Sequence, residues 1–245
     1  MKILVCISCV PDTTSKIVID SATSQISNQG LTFIVGPYDD YALSRAIELK
    51  ESHSAEVIVL HVGGAESEAL IRKCLALGAD SAVRIDGNPN SSNQIATAIT
   101  SYVKQNPCDL ILMGKESIDY NSGIVHGLVA GALGYAHFNP VMHLDLAGDS
   151  LSLEVEMDGG KMEVTCSLPA VLGCQEPIAE WKIPSMRGIM TARTKVLTVL
   201  EPVAANNNTK AVKFEKPAAK SAVKLVSADN LDELINLLHN EAKVI

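Results

Sequence analysis

Cys6 and Cys9 are the first residues in the sequence whose types and spacing could support chemistry. They form a C-x-x-C pair, the spacing used by redox-active dithiols. Cys6 lies inside the apolar strand pattern of residues 3–8 and not at a helix N-terminus, so no feature of the sequence lowers its pKa. A zinc site is disfavoured as well, because no second cysteine pair or nearby histidine completes four ligands. The six cysteines are therefore expected to be reduced and mostly buried.

A second candidate site follows an apolar run, in DLILMGKESIDYNSGIVHG at residues 109–127. Asn121, Ser122 and Gly123 at the start of a helix would leave free N–H groups that favour a phosphate-sized anion. The alternative is that the Asn-Ser pair simply caps the helix. Lys115 and Glu116 could act in catalysis or form a solvated pair.

The sequence shows no complete catalytic or metal-binding set. It has neither a G-x-G-x-x-G after the first strand nor a P-loop, so these two nucleotide motifs are not supported. Nor does it have a nucleophile with its base, or paired carboxylates. Whether the chain is an enzyme stays open, and any chemistry is expected to come from a bound cofactor.

Residues 181–195, WKIPSMRGIMTARTK, combine large apolar side chains with only basic charges. Pro184 and Gly188 predict an irregular, exposed loop with Met186 and Arg187 at its tip. Such a surface is typical of partner binding, although a surface loop closing onto the core would give the same pattern. The residues expected to bind a partner are Ile183, Met186, Arg187, Ile189, Met190 and Arg193.

Strand patterns alternate with helix patterns over most of the chain, which predicts an open parallel α/β sheet with helices on both faces. Strands are expected at residues 3–8, 57–62, 82–85 and 109–113, and helices at about 39–52, 65–77, 93–105 and from 123. Alternating runs at 141–146, 151–157 and 162–168 predict antiparallel strands, with a hairpin turn at Asp158-Gly159-Gly160. Residues 168–173 offer one more buried strand.

Residues 201–245 differ in composition from residues 1–200. An extended arm rich in Ala, Asn, Lys and Pro precedes a helix pattern at about 230–242, capped by Ser227 and Asp229, whose apolar stripe needs something to pack on. We therefore divide the chain into an α/β domain, 1–200, and a C-terminal arm, 201–245.

Charge and hydropathy limit the classes of partner. The net charge of −8 disfavours nucleic acid, because phosphate backbones require concentrated Lys and Arg. The start, MKILVCISCV, has no signal-peptide pattern, and the apolar runs are only strand-sized. A cytoplasmic location without membrane insertion is expected.

Six ordered motifs resemble the small (beta) subunit of electron-transferring flavoproteins, over nearly the whole chain. They are Val10-Pro11-Asp12-Thr13, the ALGAD run at 76–80, DLILMGKESID at 109–119, MDGG at 157–160, LPAV at 168–171, and RGIM at 187–190 with Ala192-Arg193. Each motif is weak alone, and the ordered set is specific.

The resemblance implies an adenine-nucleotide-binding, Rossmann-like fold in a heterodimer with an alpha subunit that carries FAD. Such proteins take electrons from acyl-CoA dehydrogenases, as in fatty acid oxidation, or from similar flavoenzymes, and pass them to a quinone oxidoreductase. Carried over by position, a structural AMP would contact Cys6, Gly36, Pro37, Tyr38, Asp39, Val62, Gly114, Lys115, Asp119, Asn121, Ser122, Gly123, Ile124 and Val125. Residues 181–195 would be the recognition loop, with Met186 as its anchor.

Two alternatives stay open at this point. Bifurcating relatives bind a second FAD in place of AMP and usually carry an Asp-Gly-Asp-Thr-Ala-Gln type loop, whereas residues 119–124 here read DYNSGI, which favours AMP. A free-standing adenine-nucleotide-binding protein would share the sheet but has no need of residues 181–195 or the arm. Glu156 is a further hypothesis, as a carboxylate facing a basic residue of the alpha subunit near the flavin.

Overall fold

A nine-stranded sheet organises the first 200 residues. The computed structural model describes residues 1–20, 22–206, 209, 211–219 and 222–245. The strands within them are β1 Lys2–Cys6, β2 Cys9–Pro11, β3 Val18–Ile19, β4 Ile26–Ser27, β5 Phe33–Val35, β6 Glu56–Val62, β7 Ser81–Ile85, β8 Leu110–Gly114, β9 Ala136–Ala147, β10 Ser150–Met157, β11 Gly160–Ser167, β12 Ala170–Cys174 and β13 Leu197–Leu200.

The order in the main sheet is β11-β10-β9-β12-β8-β1-β6-β7-β13. Strands from β9 through β12 to β13 run parallel, and β10 and β11 extend the sheet as an antiparallel meander. The chain leaves β1 towards β6 on one side and returns to β8 on the other, so the sheet has a topological switch point between β1 and β8. The predicted α/β fold is confirmed.

Helices cover both faces of this sheet. The helices are α1 Pro37–His53, α2 Glu68–Leu77, α3 Ser92–Gln105, α4 Val125–Leu133, α5 Met186–Ala192 and α6 Leu231–Asn236, of which α1 to α4 cover the sheet. One core packs α1 and α2 against alternate strand residues such as Ile3 and Val5. The other packs α3 and α4 against Leu4 and its neighbours. The two cores therefore lie on opposite faces of the sheet.

The hairpin between β10 and β11 turns at Asp158-Gly159 as predicted. Met157 pairs with Gly160, and Gly159 has a φ of 83°, a left-handed conformation that glycine adopts without strain. In the segment after β1, Cys9–Pro11 forms a short antiparallel ribbon with Phe33–Val35. Because β5 leads directly into α1, this pairing places the start of α1 close to the end of β1.

The C-terminal arm is extended between β13 and α6. Phe214 donates its N–H to the carbonyl of Ser24 at 2.9 Å, so this part of the arm contacts the small β3–β4 hairpin of its own chain. Residues 207, 208, 210, 220 and 221 of the predicted arm lie outside the described residues. The predicted capping of the last helix by Ser227 and Asp229 was wrong, because Asn230 is the residue whose side chain accepts from the N–H of Glu233.

Candidate functional site

Asp39, at the start of α1, joins the two strand ends at the switch point. Its Oδ1 accepts from the Gly114 N–H at 2.8 Å, and its Oδ2 accepts from the N–H and hydroxyl of Ser8 at 2.8 and 2.5 Å. The glycines beside it are required by space, since a Cβ at Gly36 would stand 2.4 Å from Asp39 Oδ2 and one at Gly114 would stand 2.7 Å from Oδ1. The carboxylate therefore fixes the backbone from which two loops leave the sheet.

Burial sets the protonation of this carboxyl. Asp39 is 6% exposed, and burial raises its pKa to about 6, against hydrogen bonds from Ser8 and Gly114 that lower it. The charged form is held by three donors, so near neutral pH the group acts as an acceptor that organises the backbone. A role for Asp39 in contacting a ligand stays a prediction, because both of its oxygens already have partners within the chain.

The loop after β8 closes on itself before α4 begins. Ser117 and Ser122 exchange N–H to carbonyl bonds at 3.2 and 3.3 Å, and Asp119 accepts from the Ser117 hydroxyl and the Tyr120 N–H inside the turn. Asn121 sits at a φ of 49° within this turn. Tyr120 stands exposed at the tip.

The N-terminus of α4 lacks the side-chain cap that the sequence left open as an alternative. Ile124 occupies the capping position, and the first helical bond runs from the Leu128 N–H to the Ile124 carbonyl. Ser122, which could have capped the helix, instead places its hydroxyl 3.0 Å from that of Ser92 on α3. Within the described residues, the N–H groups of Gly123 and Ile124 have no acceptor, so they are available to an anion.

Two histidines hold the start of this loop. His126 donates through Nε2 to the Lys115 carbonyl at 2.9 Å, so its Nδ1 accepts from Nε2 of His137 at 2.8 Å. The rings stack with centroids 5.0 Å apart. Burial lowers the pKa of both groups, and in His137 the neighbouring His126 lowers it further.

The side chain of Lys115 contacts Tyr38 at the start of α1. Its Nζ lies 4.8 Å from the centre of the Tyr38 ring, a cation–π distance. Cys6 and Val62 end β1 and β6, and β1 lies between β6 and β8, so both residues lie at the same end of the sheet as Lys115. A cavity of about 150 Å³ adjoins Val62; Ile85, Asp86, Gln94 and Val203 are among its lining residues. The structure thus brings the predicted nucleotide-contacting residues together at the carboxyl ends of the parallel strands, although their contacts with a ligand stay predictions.

The cysteine pair does not form a reactive dithiol centre. Burial raises the pKa of the Cys9 thiol to about 12 and that of Cys6 well above its usual value. His61, whose Nδ1 donates to the Ile7 carbonyl at 2.9 Å, has its pKa lowered by burial and supplies no positive charge to Cys9. No group of His, Cys, Asp and Glu in the described part of the chain could hold a metal ion.

Residues 181–195 contain a helix where an irregular loop was predicted. Pro184 ends the extended entry, the Ser185 hydroxyl caps the helix by accepting from the Gly188 N–H at 3.0 Å, and α5 follows from Met186. Gly188 lies inside this helix because its bare Cα packs against the carbonyl of Ala76 on α2, where a Cβ would stand only 2.2 Å from the oxygen. Gly188 was predicted to break the helix, which was wrong; it allows α5 to pack closely against α2.

The exposed side of this segment carries the residues predicted to bind a partner. Ile183, Met186 and Met190 are 75%, 78% and 72% exposed. The basic residues divide into two groups, because Lys182 pairs with Glu51 at 3.5 Å and Lys195 bonds to α2, whereas Arg187 and Arg193 form no ion pair with any described residue. The surface is therefore apolar at its centre, with two unpaired guanidinium groups.

Glu156 already has a partner in this chain, since its carboxylate accepts from Gln175 Nε2. A contact with another subunit stays a prediction. Among the described helices, none combines the length and apolar character needed to cross a membrane.

Comparison with known proteins agrees with this architecture. The model of the electron transfer flavoprotein domain family matches residues 23–206. The electron transfer flavoprotein subunit beta of Bacillus subtilis is 34% identical over 96% of each chain, and that of Syntrophomonas wolfei is 34% identical over 91% of this chain and 88% of the relative. The human electron transfer flavoprotein subunit beta is 27% identical over 94% of this chain and 95% of its own.

The open α/β fold and the family match define a flavoprotein-linked electron-transfer protein. The chain belongs to the electron transfer flavoprotein family and is similar to its beta subunits.

Proposed function

We propose that this chain is the beta subunit of a heterodimeric electron carrier that receives electrons from acyl-CoA dehydrogenases or similar flavoenzymes and delivers them to a quinone-linked acceptor. Residues 1–200 would bind AMP and recognise the dehydrogenase, and the arm 201–245 would pack on the alpha subunit. FAD, carried mainly by the alpha subunit, supplies the redox chemistry when bound. The residues of this chain then bind, orient and dock.

The observation that carries the proposal is the exposed face of residues 181–195. An apolar centre next to Arg187 and Arg193 on a chain of net charge −8 concentrates attraction for an acidic partner at one place. Met186 and Met190 are unbranched and adaptable, which suits a surface that must dock transiently on more than one dehydrogenase.

The start of α4, at the carboxyl end of the parallel strands, suits the phosphate of AMP. The free N–H groups of Gly123 and Ile124 point from an uncapped helix start whose dipole favours negative charge. The Asp39 bonds and the His126 bond to the Lys115 carbonyl hold the loop backbone in place, so an anion would not need to order it. Cys6 and Val62, at the ends of neighbouring strands, would contact the base. AMP would act as a structural ligand.

The alpha subunit is supported as a partner by exposed apolar groups outside residues 181–195. Leu231 and Ile235 of α6 are 61% and 55% exposed, and Met157 at the end of β10 is 53% exposed. A short helix at the end of an extended arm cannot stabilise itself in water, so a second chain is the natural surface for it.

A single substitution on the exposed face tests the proposal. Met186→Ala in the purified heterodimer should raise the KM for the heterodimer, as electron acceptor of the dehydrogenase, by about tenfold because one buried anchor is lost. Val18→Ala is the control, since Val18 is 43% exposed but lies on the separate β3–β4 hairpin. Equal KM values for Met186→Ala and wild type would refute recognition by this face.

A further inference from the structure

The helices α5 and α2 are joined near their C-termini by two partly buried cations. Arg72 of α2 donates through Nη1 to the carbonyls of Ala192 and Lys195, at 2.8 and 2.7 Å. In return, Lys195 donates through Nζ to the carbonyls of Leu75 and Ala79, at 3.0 and 2.5 Å. Of these carbonyls, those of Leu75 and Ala192 lie in the last turns of α2 and α5, where carbonyls lack intrahelical partners and carry partial negative charge that favours a cation.

Close packing brings the two helices within reach of these bonds. Gly188 lies against the Ala76 carbonyl, and Ala192 is 3% exposed. A residue with a side chain at 188 would push α5 away from α2, and Arg72 and Lys195 could then no longer span the gap. The glycine and the two cations therefore act together as one clamp, formed by Arg72, Gly188 and Lys195.

The clamp holds a helix that could not form alone. A helix of seven residues is too short to be stable in water, and its exposed face gains nothing from burial until a partner arrives. Lys195 is partly withdrawn from water, since burial lowers its pKa and the nearby Lys50 lowers it further. Lys50 bonds to the Gly78 carbonyl at 2.9 Å and to Asp80 at 2.5 Å, which anchors the same end of α2 to α1.

We propose that Arg72 and Lys195 are positioning residues that keep α5 formed and oriented before a dehydrogenase binds, so that Met186 and Met190 are presented together on a rigid surface. This inference rests on the proposed function in assigning partner recognition to residues 181–195. A helix α5 that is already ordered before binding lowers the entropic cost of docking. The clamp keeps α5 ordered without contacting the partner.

Hydrogen exchange of the purified heterodimer tests the clamp without any dehydrogenase. In Arg72→Met, the hydrogen-bonded amides of residues 189–195 should exchange about tenfold faster than in wild type, because two charged hydrogen bonds are lost. Lys73→Met is the matched control: it removes the same charge from the adjacent, exposed position of α2. Lys195→Met carries the same test from the other helix if Arg72→Met does not yield folded heterodimer.

Kinetics with the dehydrogenase separates positioning from general stability. Arg72→Met should raise the KM for the heterodimer severalfold with kcat unchanged, whereas a general loss of folded protein would lower the apparent kcat and leave KM as it was. Unchanged exchange of residues 189–195 in both Arg72→Met and Lys195→Met would overturn the clamp.

The failure of the clamp can be told from the failure of the proposed function. If these amides exchange faster but neither Met186→Ala nor Arg72→Met changes KM, the clamp exists and recognition by residues 181–195 is refuted. If Met186→Ala raises KM while exchange in the clamp variants stays at the wild-type rate, recognition stands and α5 is held by other contacts.

Discussion

At the residue scale, the site depends on polar groups that bond to backbone. Asp39 receives three donors from two strand ends, and His126 receives a hydrogen bond from His137 while it holds the Lys115 carbonyl. None of these side chains points to a reaction of its own. Together, their hydrogen bonds fix the backbone of the loop formed by residues 114–125 before a ligand binds.

Asp39→Asn should remove a pH dependence of stability. The pKa of Asp39 is raised by burial from 3.8 to about 6, so the folded state holds its proton longer than the unfolded state. Its contribution to stability is full below about pH 4 and is lost as the pH rises through about 6. The loss amounts to about 3 kcal/mol.

Thermal unfolding of wild type and Asp39→Asn between pH 4.5 and 7.5 measures this effect. The wild type should lose stability relative to the variant as the pH rises. Asp12→Asn serves as a flat control, since hydrogen bonds from Thr14 lower the pKa of Asp12 and its contribution to stability is lost only below this pH range. Parallel curves for wild type and Asp39→Asn would show that Asp39 is not the buried group described here.

At the element scale, α5 is a helix that local sequence propensity does not predict. The alternation of strands and helices and the hairpin at Gly159 follow from patterns within about 15 residues of one another, whereas these patterns left open whether a side chain caps α4. The helix in residues 181–195 does not, because it forms around a glycine whose reason is the Ala76 carbonyl more than 100 positions earlier. Local sequence patterns likewise fail to predict two other sets of tertiary contacts. These are the helix caps made by Arg72 and Lys195 and the hydrogen bond between His126 and His137.

Gly188→Ala tests whether this helix depends on close packing. Alanine favours a helix over glycine, but its Cβ would stand 2.2 Å from the Ala76 oxygen, so α5 should shift and the thermal midpoint should fall. Gly131→Ala is the matched control: Gly131 lies in α4 with no atom within 4 Å of an added Cβ, and this change should stabilise by about 0.5 to 1 kcal/mol. Equal gains for both variants would contradict the tight contact between α5 and α2.

At the scale of the whole molecule, the distribution of charge supports the proposed docking. The chain carries 28 acidic and 20 basic residues, yet the surface proposed for recognition presents Arg187 and Arg193, which form no ion pair with any described residue. The acidic remainder opposes association elsewhere and leaves this face as the attractive one. The proposed recognition face and the proposed nucleotide site share one scaffold, because α1 and α2 pack in the same core.

Salt should weaken docking through the two arginines. The KM of the dehydrogenase for the heterodimer should rise between low ionic strength and 0.2 M salt, on the order of severalfold, and should become nearly independent of salt in the Arg187→Gln, Arg193→Gln double variant. Lys104→Gln, on the exposed side of α3, controls for total charge. A salt dependence in the double variant as steep as in wild type would assign the attraction to other groups.

The nucleotide content of the intact heterodimer tests the central claim most directly. The chain is co-expressed with its alpha subunit, purified and denatured, and the released AMP and FAD are quantified by chromatography. One AMP and one FAD per heterodimer are predicted, with AMP held by the N–H groups at the start of α4. Two FAD without AMP would contradict this account and make the chain part of a bifurcating flavoprotein, and a heterodimer without any adenine nucleotide beyond the alpha-subunit FAD would refute the site.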